Sequence, residues 1–278
     1  MIRSNNARRR GSALVAMIVL ISLAAFGAGL LLPAIGKSRE TANRVKCASN
    51  LRQIGMAIQL YASDNRGAYP RTKFVAADKV IPDVTNGGAD SADPFAAGNT
   101  VPANCVPSAI FLLLRTEDIA SAVFVCPSAI KTPDPENNAT RRSNFTDLKQ
   151  NLSYSYANPY PDNGALARGY KLTNALDAGF VVAADLNPGA TVGSKVLGVT
   201  MMSRAVELAW ANSRNHQLAG QNVLFADGHV EFDATVFVGE NQDNIYCRGM
   251  GGPNASKDDI VNSPKDKDDS VLLPTETD

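Results

Sequence analysis

Histidine occurs only twice in the 278 residues, at His216 and His229, and both lie near the Asp227-Gly228 pair in "NSRNHQLAGQNVLFADGHVEF" (212–232). Imidazole and carboxylate side chains ligate metals and move protons, so two chemistries are open. His216 and Asp227, with His229 nearby, form an N/O donor set for a divalent cation such as calcium. Ser213, His216 and Asp227 have the residue types of a nucleophilic triad. A third reading is architectural, because Asp-Gly between runs rich in Val, Leu and Phe is a strong hairpin signal. It predicts strands at 222–226 and 229–232 joined by a type I′ turn, with Asp227 and Gly228 at positive φ. His229 then opens a strand, and His216 packs or hydrogen-bonds in the interior. Asp227 and Gly228 already have a turn to make, so the architectural reading leads, with no catalytic residue and no cofactor.

Cys47, Cys105, Cys126 and Cys247 are an even set with no CxxC or Cys/His spacing of the zinc-finger kind. In an oxidising compartment they predict two disulfides, and three pairings are open.

The elements that position these residues begin with "RRRGSALVAMIVLISLAAFGAGLLLPAIGKSRE" (8–40). Residues 12–35 carry no Asp, Glu, Lys or Arg. At about 1.5 Å per residue, a helix of that length covers the roughly 30 Å hydrocarbon core of a bilayer. The expectation is a basic leader (1–11), a transmembrane helix (12–36) and an extracytoplasmic body. Arg8, Arg9 and Arg10 set the N-terminus inside, which makes a single-pass protein of the inner membrane. Pro33 predicts a kink. Beyond it, Val45, Cys47, Leu51, Ile54, Ile58 and Tyr61 recur at helical spacing, and Asp64-Asn65-Arg66-Gly67 ends the helix.

Residues 76–107 are rich in Gly, Pro, Asn and Asp and predict an exposed loop insertion within a 37–250 domain. A short helix is expected over 107–115 and strands over 123–125, 153–156 and 180–184. With the hairpin these make an antiparallel sheet packed on the helical stem, an α+β fold. Residues 251–278 hold seven acids against three lysines and no aromatic residue, which predicts a disordered acidic tail. Lys plus Arg equals Asp plus Glu at 27 each. Four of those arginines lie in the leader, so the remainder is mildly acidic and no nucleic-acid partner is expected.

The N-terminus resembles type IV prepilins and type II secretion pseudopilins. The likeness lies in the Arg-rich leader ending in Gly11, the apolar helix, Pro33, and "GKSRETANRVKCASNLRQIGMAIQLYASDNRGAYP". With "FVCPS", "SYSYANPY", "VVAADLNPG", the His216…Asp227-Gly228 signature and "DNIYC", the chain resembles the bacterial proteins that join a prepilin-type N-terminus to a C-terminal His-x9-Asp-Gly motif. The resemblance implies cleavage by a prepilin peptidase between Gly11 and Ser12, a pilin-like fold, and assembly with other pseudopilin or secretion-system subunits. Two departures matter. Position 5 of the mature chain is Ala16 where the family carries Glu, and ten residues separate His216 from Asp227 where the motif has nine. Ala16 removes a carboxylate that would pair with a neighbouring subunit's amine, so ordered polymerisation becomes harder.

Two functions follow as expectations. One is a non-catalytic, pseudopilin-like structural subunit of a secretion or pilus-like surface assembly. The other is a tethered binding module that holds a glycan or similar ligand on the 76–107 loop.

Overall fold

The computed structural model describes residues 6–135, 139–191 and 193–276. Helix α1 runs from Asn6–Asp64, and the chain separates into two compact units, residues 1–42 and 43–278.

In the first unit, Val15, Met17, Ile18, Val19, Leu20, Ile21, Leu23 and Phe26 are exposed. Among the described residues, no helix is long and apolar enough to cross a membrane. This overturns the transmembrane helix expected over 12–36 and the single-pass inner-membrane placement built on it. The described exposed apolar side chains of this unit lie between Val15 and Phe26, whereas a bilayer span takes about 20 consecutive apolar residues. Part of the expected span, including 27–35 and the kink at Pro33, falls on side chains outside the described residues.

The second unit is α+β. Its sheet has five antiparallel strands, β1 (Tyr154–Ala157), β2 (Val181–Asp185), β3 (Gln221–Phe225), β4 (Val230–Asp233) and β5 (Leu272–Leu273), in the order β4-β3-β2-β1-β5. Tyr154 pairs with Asp185, Ala183 with Leu224, and Asn222 with Phe232. Side chains alternate across a pleated strand, so Tyr154, Asp185, Ala183, Leu224, Asn222 and Phe232 share one face. The C-terminal half of α1 lies on that face. Cys47, Leu51, Ile54 and Ile58 are buried as their spacing predicts, whereas Val45 is exposed. Contact is close at Gly55, where a Cβ would stand 2.9 Å from a Leu224 methyl carbon. The Asn50 amide donates to the Val125 carbonyl and the Tyr154 hydroxyl, tying the helix to the domain. Gly67, at φ 82°, donates its N–H to the Ala62 carbonyl at 2.7 Å and closes the helix.

Helix α2 (Val106–Thr116) matches the expected helix to within a residue and buries Ile110, Phe111, Leu113 and Leu114. Residues 123–125 are not a strand; Ser121–Phe124 form a 3-10 turn leading to Cys126-Pro127. The 76–107 segment is irregular as expected, but it is anchored. Val80, Val84, Val101 and Cys105 are buried, and the Asn144 amide donates to the Thr85 and Gly87 carbonyls.

The Asp-Gly hairpin forms with a different turn. Gly228 donates to the Phe225 carbonyl and Phe225 to the His229 carbonyl, both at 3.0 Å. Gly228 has φ 90°, while neither Ala226 nor Asp227 has positive φ. The connection is therefore the three-residue loop Ala226-Asp227-Gly228, with glycine in the left-handed position. A type I′ turn would demand positive φ of Asp227, which instead uses its carboxylate to accept the His229 N–H.

The expected disordered tail is also corrected. Val271, Leu272 and Leu273 are fully buried, and β5 adds to the free edge of β1. A short apolar run was enough to bring this acidic segment into the core. Asp269 accepts the Gly249 and Lys265 N–H groups, while Asp243 accepts the Ser270 N–H. Burial first, and then the nearby Asp269 charge, raises the Asp243 carboxyl far above the ordinary carboxylate range. Burial raises Asp269 as well.

Two predictions follow. Leu51→Ala should lower unfolding free energy in urea by about 2–5 kcal/mol through lost burial and a cavity, while the exposed neighbour Met56→Ala should leave it nearly unchanged. For the acid pair, the folded state binds more protons than the unfolded state above pH about 4, so stability falls as pH rises. Asp243→Asn should flatten that slope by up to about 1.4 kcal/mol per pH unit and raise the neutral-pH melting temperature.

Candidate functional site

A buried polar cluster, formed where α1 crosses the β2-β3 pair, is the strongest site candidate. Asp185 is the last residue of β2, behind four apolar residues that carry it inside. Asn222 lies beside it on β3. His216 arrives on a single 3-10 turn, Arg214–His216, capped by the Ser213 hydroxyl, which accepts the Asn215 N–H at 3.4 Å. Gln217 and Leu218 follow at positive φ and Gly220 at φ 148°, where a Cβ would collide with the Asp233 carbonyl. That tight path drops His216 under the sheet face before β3 begins.

Asp185 and His216 have no exposed side-chain surface. The Asp185 carboxyl accepts from the Asn215 amide at 2.9 Å, the Asn222 backbone N–H at 2.6 Å and the Asn222 amide at 3.1 Å. His216 Nε2 stands 3.3 Å from Asp185 Oδ2, 3.1 Å from Asn222 Nδ2 and 3.7 Å from Cys126 Sγ. Cys126 is disulfide-bonded to Cys47 of α1, with Cα atoms 5.4 Å apart. The His216 ring meets Phe232 edge-on at 5.9 Å, and the Arg44 guanidinium lies over Phe232 at 4.4 Å.

The signature residues are not brought together. Asp227 and His229 sit on the hairpin tip, about half exposed, paired at 2.5 Å between Asp227 Oδ1 and His229 Nδ1. The His229 N–H and then its ring hold the Asp227 carboxyl below the ordinary range. His229 also stacks on Phe225 with ring centroids 4.2 Å apart. His216 is buried with Asp185 as its carboxyl partner, so neither a His216/Asp227 cation site nor the Ser213-His216-Asp227 triad is assembled. Gly228 serves the turn. Gly11 and Ser12 fall within the range of α1, their side chains outside the described residues.

One of the two expected disulfides is present. Cys105 and Cys247 are free and buried. Cys105 Sγ lies 3.5 Å from the Thr85 carbonyl and the Asn144 amide. Burial pushes its thiol up to about 12. Cys247 is also raised, by burial and then by Asp243 and Asp269. Each is thus held as a thiol in its own polar pocket. A separate surface groove of about 370 Å³ is lined by Tyr69, Arg71, Phe74, Tyr170, Lys171 and Leu172 among others, beside the base of the 76–107 loop and not on it.

Asp185 and Asn222 escaped the sequence reading. The signal for Asp185 was its place at the end of "VVAAD", an otherwise wholly apolar strand. No protein-family model, curated protein or solved structure matches this chain.

Asp185→Ala would strand the Asn215 and Asn222 donors in a dry interior, and a loss of about 3–5 kcal/mol is expected in chemical denaturation. The solvent-facing Asp227→Ala should leave the denaturation midpoint close to wild type.

Proposed function

We propose that the chain is a non-enzymatic structural subunit, similar in plan to a pseudopilin, that assembles through the N-terminal part of α1 into a secretion or pilus-like surface structure. The observation that carries this reading is the division of labour along one helix. From Cys47 onward α1 buries its apolar face in its own domain, whereas the apolar side chains between 15 and 26 are exposed. Large exposed apolar patches favour association, and like helices from neighbouring subunits are the proposed cover. The His216-Asp185 cluster serves this role by fixing the globular body to the helix. Processing after Gly11 belongs to the same proposal and would give a mature chain beginning at Ser12.

The binding reading has one observation in its favour. The groove combines the aromatic rings of Tyr69, Phe74 and Tyr170 with the cations Arg71 and Lys171, and Arg71 stands 4.9 Å over the Phe74 ring. Such a surface suits a sugar or peptide face. It remains the second reading, with the groove replacing the 76–107 loop as its location.

A photo-cross-linker at Leu20 of the full chain tests the assembly directly. The expected products are discrete homo-oligomers whose cross-linked peptides map to residues 15–26 of a second copy, with the same substitution at Met56 giving monomer. Monomer alone from Leu20, or the same ladder from both positions, contradicts helix-mediated assembly.

A further inference from the structure

The disulfide and the polar cluster hold four ligand types in one place. The donor atoms of Cys47, Cys126, Asp185 and His216 all lie within 4.8 Å of one another, and all four residues are buried. We propose that this cluster is a two-state centre: the Cys47–Cys126 disulfide in the oxidised protein and, in the reduced protein, a closed tetrahedral site for a zinc-class divalent cation.

The donor set and the distances both fit. Two thiolates, one imidazole and one carboxylate are ligands that zinc accepts in four-coordinate sites. With Zn–S about 2.3 Å, Zn–N about 2.0–2.1 Å and Zn–O about 2.0–2.2 Å, tetrahedral geometry sets N···S edges near 3.6 Å and N···O edges near 3.4 Å. His216 Nε2 already stands 3.7 Å from Cys126 Sγ and 3.3 Å from Asp185 Oδ2. Opening the disulfide lets the two sulfurs part to roughly 3.8 Å, the S···S edge of the same polyhedron. The supporting shell is in place as well. The Asn215 amide and the Asn222 N–H orient the Asp185 carboxyl, as outer-shell donors do in metal centres. The Asn222 side-chain amide, within hydrogen-bond reach of both Asp185 and His216, must turn aside as the ion enters. The other two cysteines do not compete, since burial keeps Cys105 and Cys247 protonated.

The four donors come from four separate segments of the chain. Cys47 belongs to α1, Cys126 follows the 3-10 turn, Asp185 ends β2 and His216 precedes β3. The ion would cross-link all four, where the disulfide joins two. A phosphine reductant carries out the exchange in balance. It donates two electrons to the S–S bond and takes the oxygen of one water as phosphine oxide, and the two protons of that water go to the two thiols. Binding of the divalent cation then releases both thiol protons to buffer.

The test uses the full chain folded in a phosphine reductant without metal, with Co2+ as the spectroscopic probe and Zn2+ as competitor. One Co2+ per chain is expected, with the thiolate charge-transfer and ligand-field absorption of a tetrahedral site, lost when Zn2+ is added. The disulfide-intact protein should give no such signal. The double variant Cys105→Ala/Cys247→Ala should keep it, and Cys47→Ser/Cys126→Ser should lose it. Circular dichroism of the reduced, metal-free protein reports on folding. If that protein is folded and binds no Co2+, or if the Cys47→Ser/Cys126→Ser variant binds as well as wild type, the proposal is overturned. If the reduced protein unfolds without metal, refolding on addition of one equivalent of Zn2+ supports the proposal, and failure to refold overturns it.

Discussion

A carboxyl group with no access to water must find its hydrogen-bond donors inside the protein, and that constraint at Asp185 governs the arrangement around it. Three donors reach it, two from Asn222 and one from Asn215, and His216 closes the fourth side. An isolated buried acid of this kind is costly, so partial assembly gains little. The turn that delivers His216 and Asn215, the register that sets Asn222 beside Asp185, and the strand that carries Asp185 inside are all needed together. Tyr246 adds a further tie, its hydroxyl donating to the Asp185 carbonyl at 2.7 Å.

The long helix joins this cluster through covalent and polar links. Cys47 bonds to Cys126, Asn50 reaches Val125 and Tyr154, and Gly55 lets Leu224 approach the helix. On the far edge of the sheet, Leu272 and Leu273 cover β1 and place Asp269 beside Asp243. The domain is thus held by segments distant in sequence, residues 43–62 on one face of its sheet and 269–275 along the β1 edge. The proposed function leaves the N-terminal part of α1 for contacts with other subunits.

Much of this was legible in the sequence wherever the signal was periodic. The helical spacing of Cys47, Leu51, Ile54 and Ile58 named the buried face, and the β-rich runs near 154 and 181 were placed to within a residue. The errors share a physical origin in tertiary context. Val125 belongs to a β-prone run, yet the disulfide at Cys126 and the following proline leave it outside any strand. Asp-Gly does mark the hairpin, but the choice between two-residue and three-residue loops rests on one φ value that composition does not set. The acidic 251–278 segment hid "VLLP", whose burial outweighs its neighbours' charge. The site was legible only in part. The motif points to His216 and offers Asp227 as its partner, whereas pairing across the sheet supplies Asp185, 31 residues away.

The central claim is that the Asp185 cluster is the anchor of the domain, and the backbone amide of Asn222 reports on it most directly. This N–H donates to a side chain, Asp185 Oδ2, at 2.6 Å. If the cluster is the anchor, residue-resolved hydrogen exchange will place the Asn222 amide in the slowest class, exchanging only with global unfolding alongside the amides of β2 and β3. Exchange at Asn222 in the fast class, while those strand amides stay protected, would show that the cluster opens independently and would contradict the account.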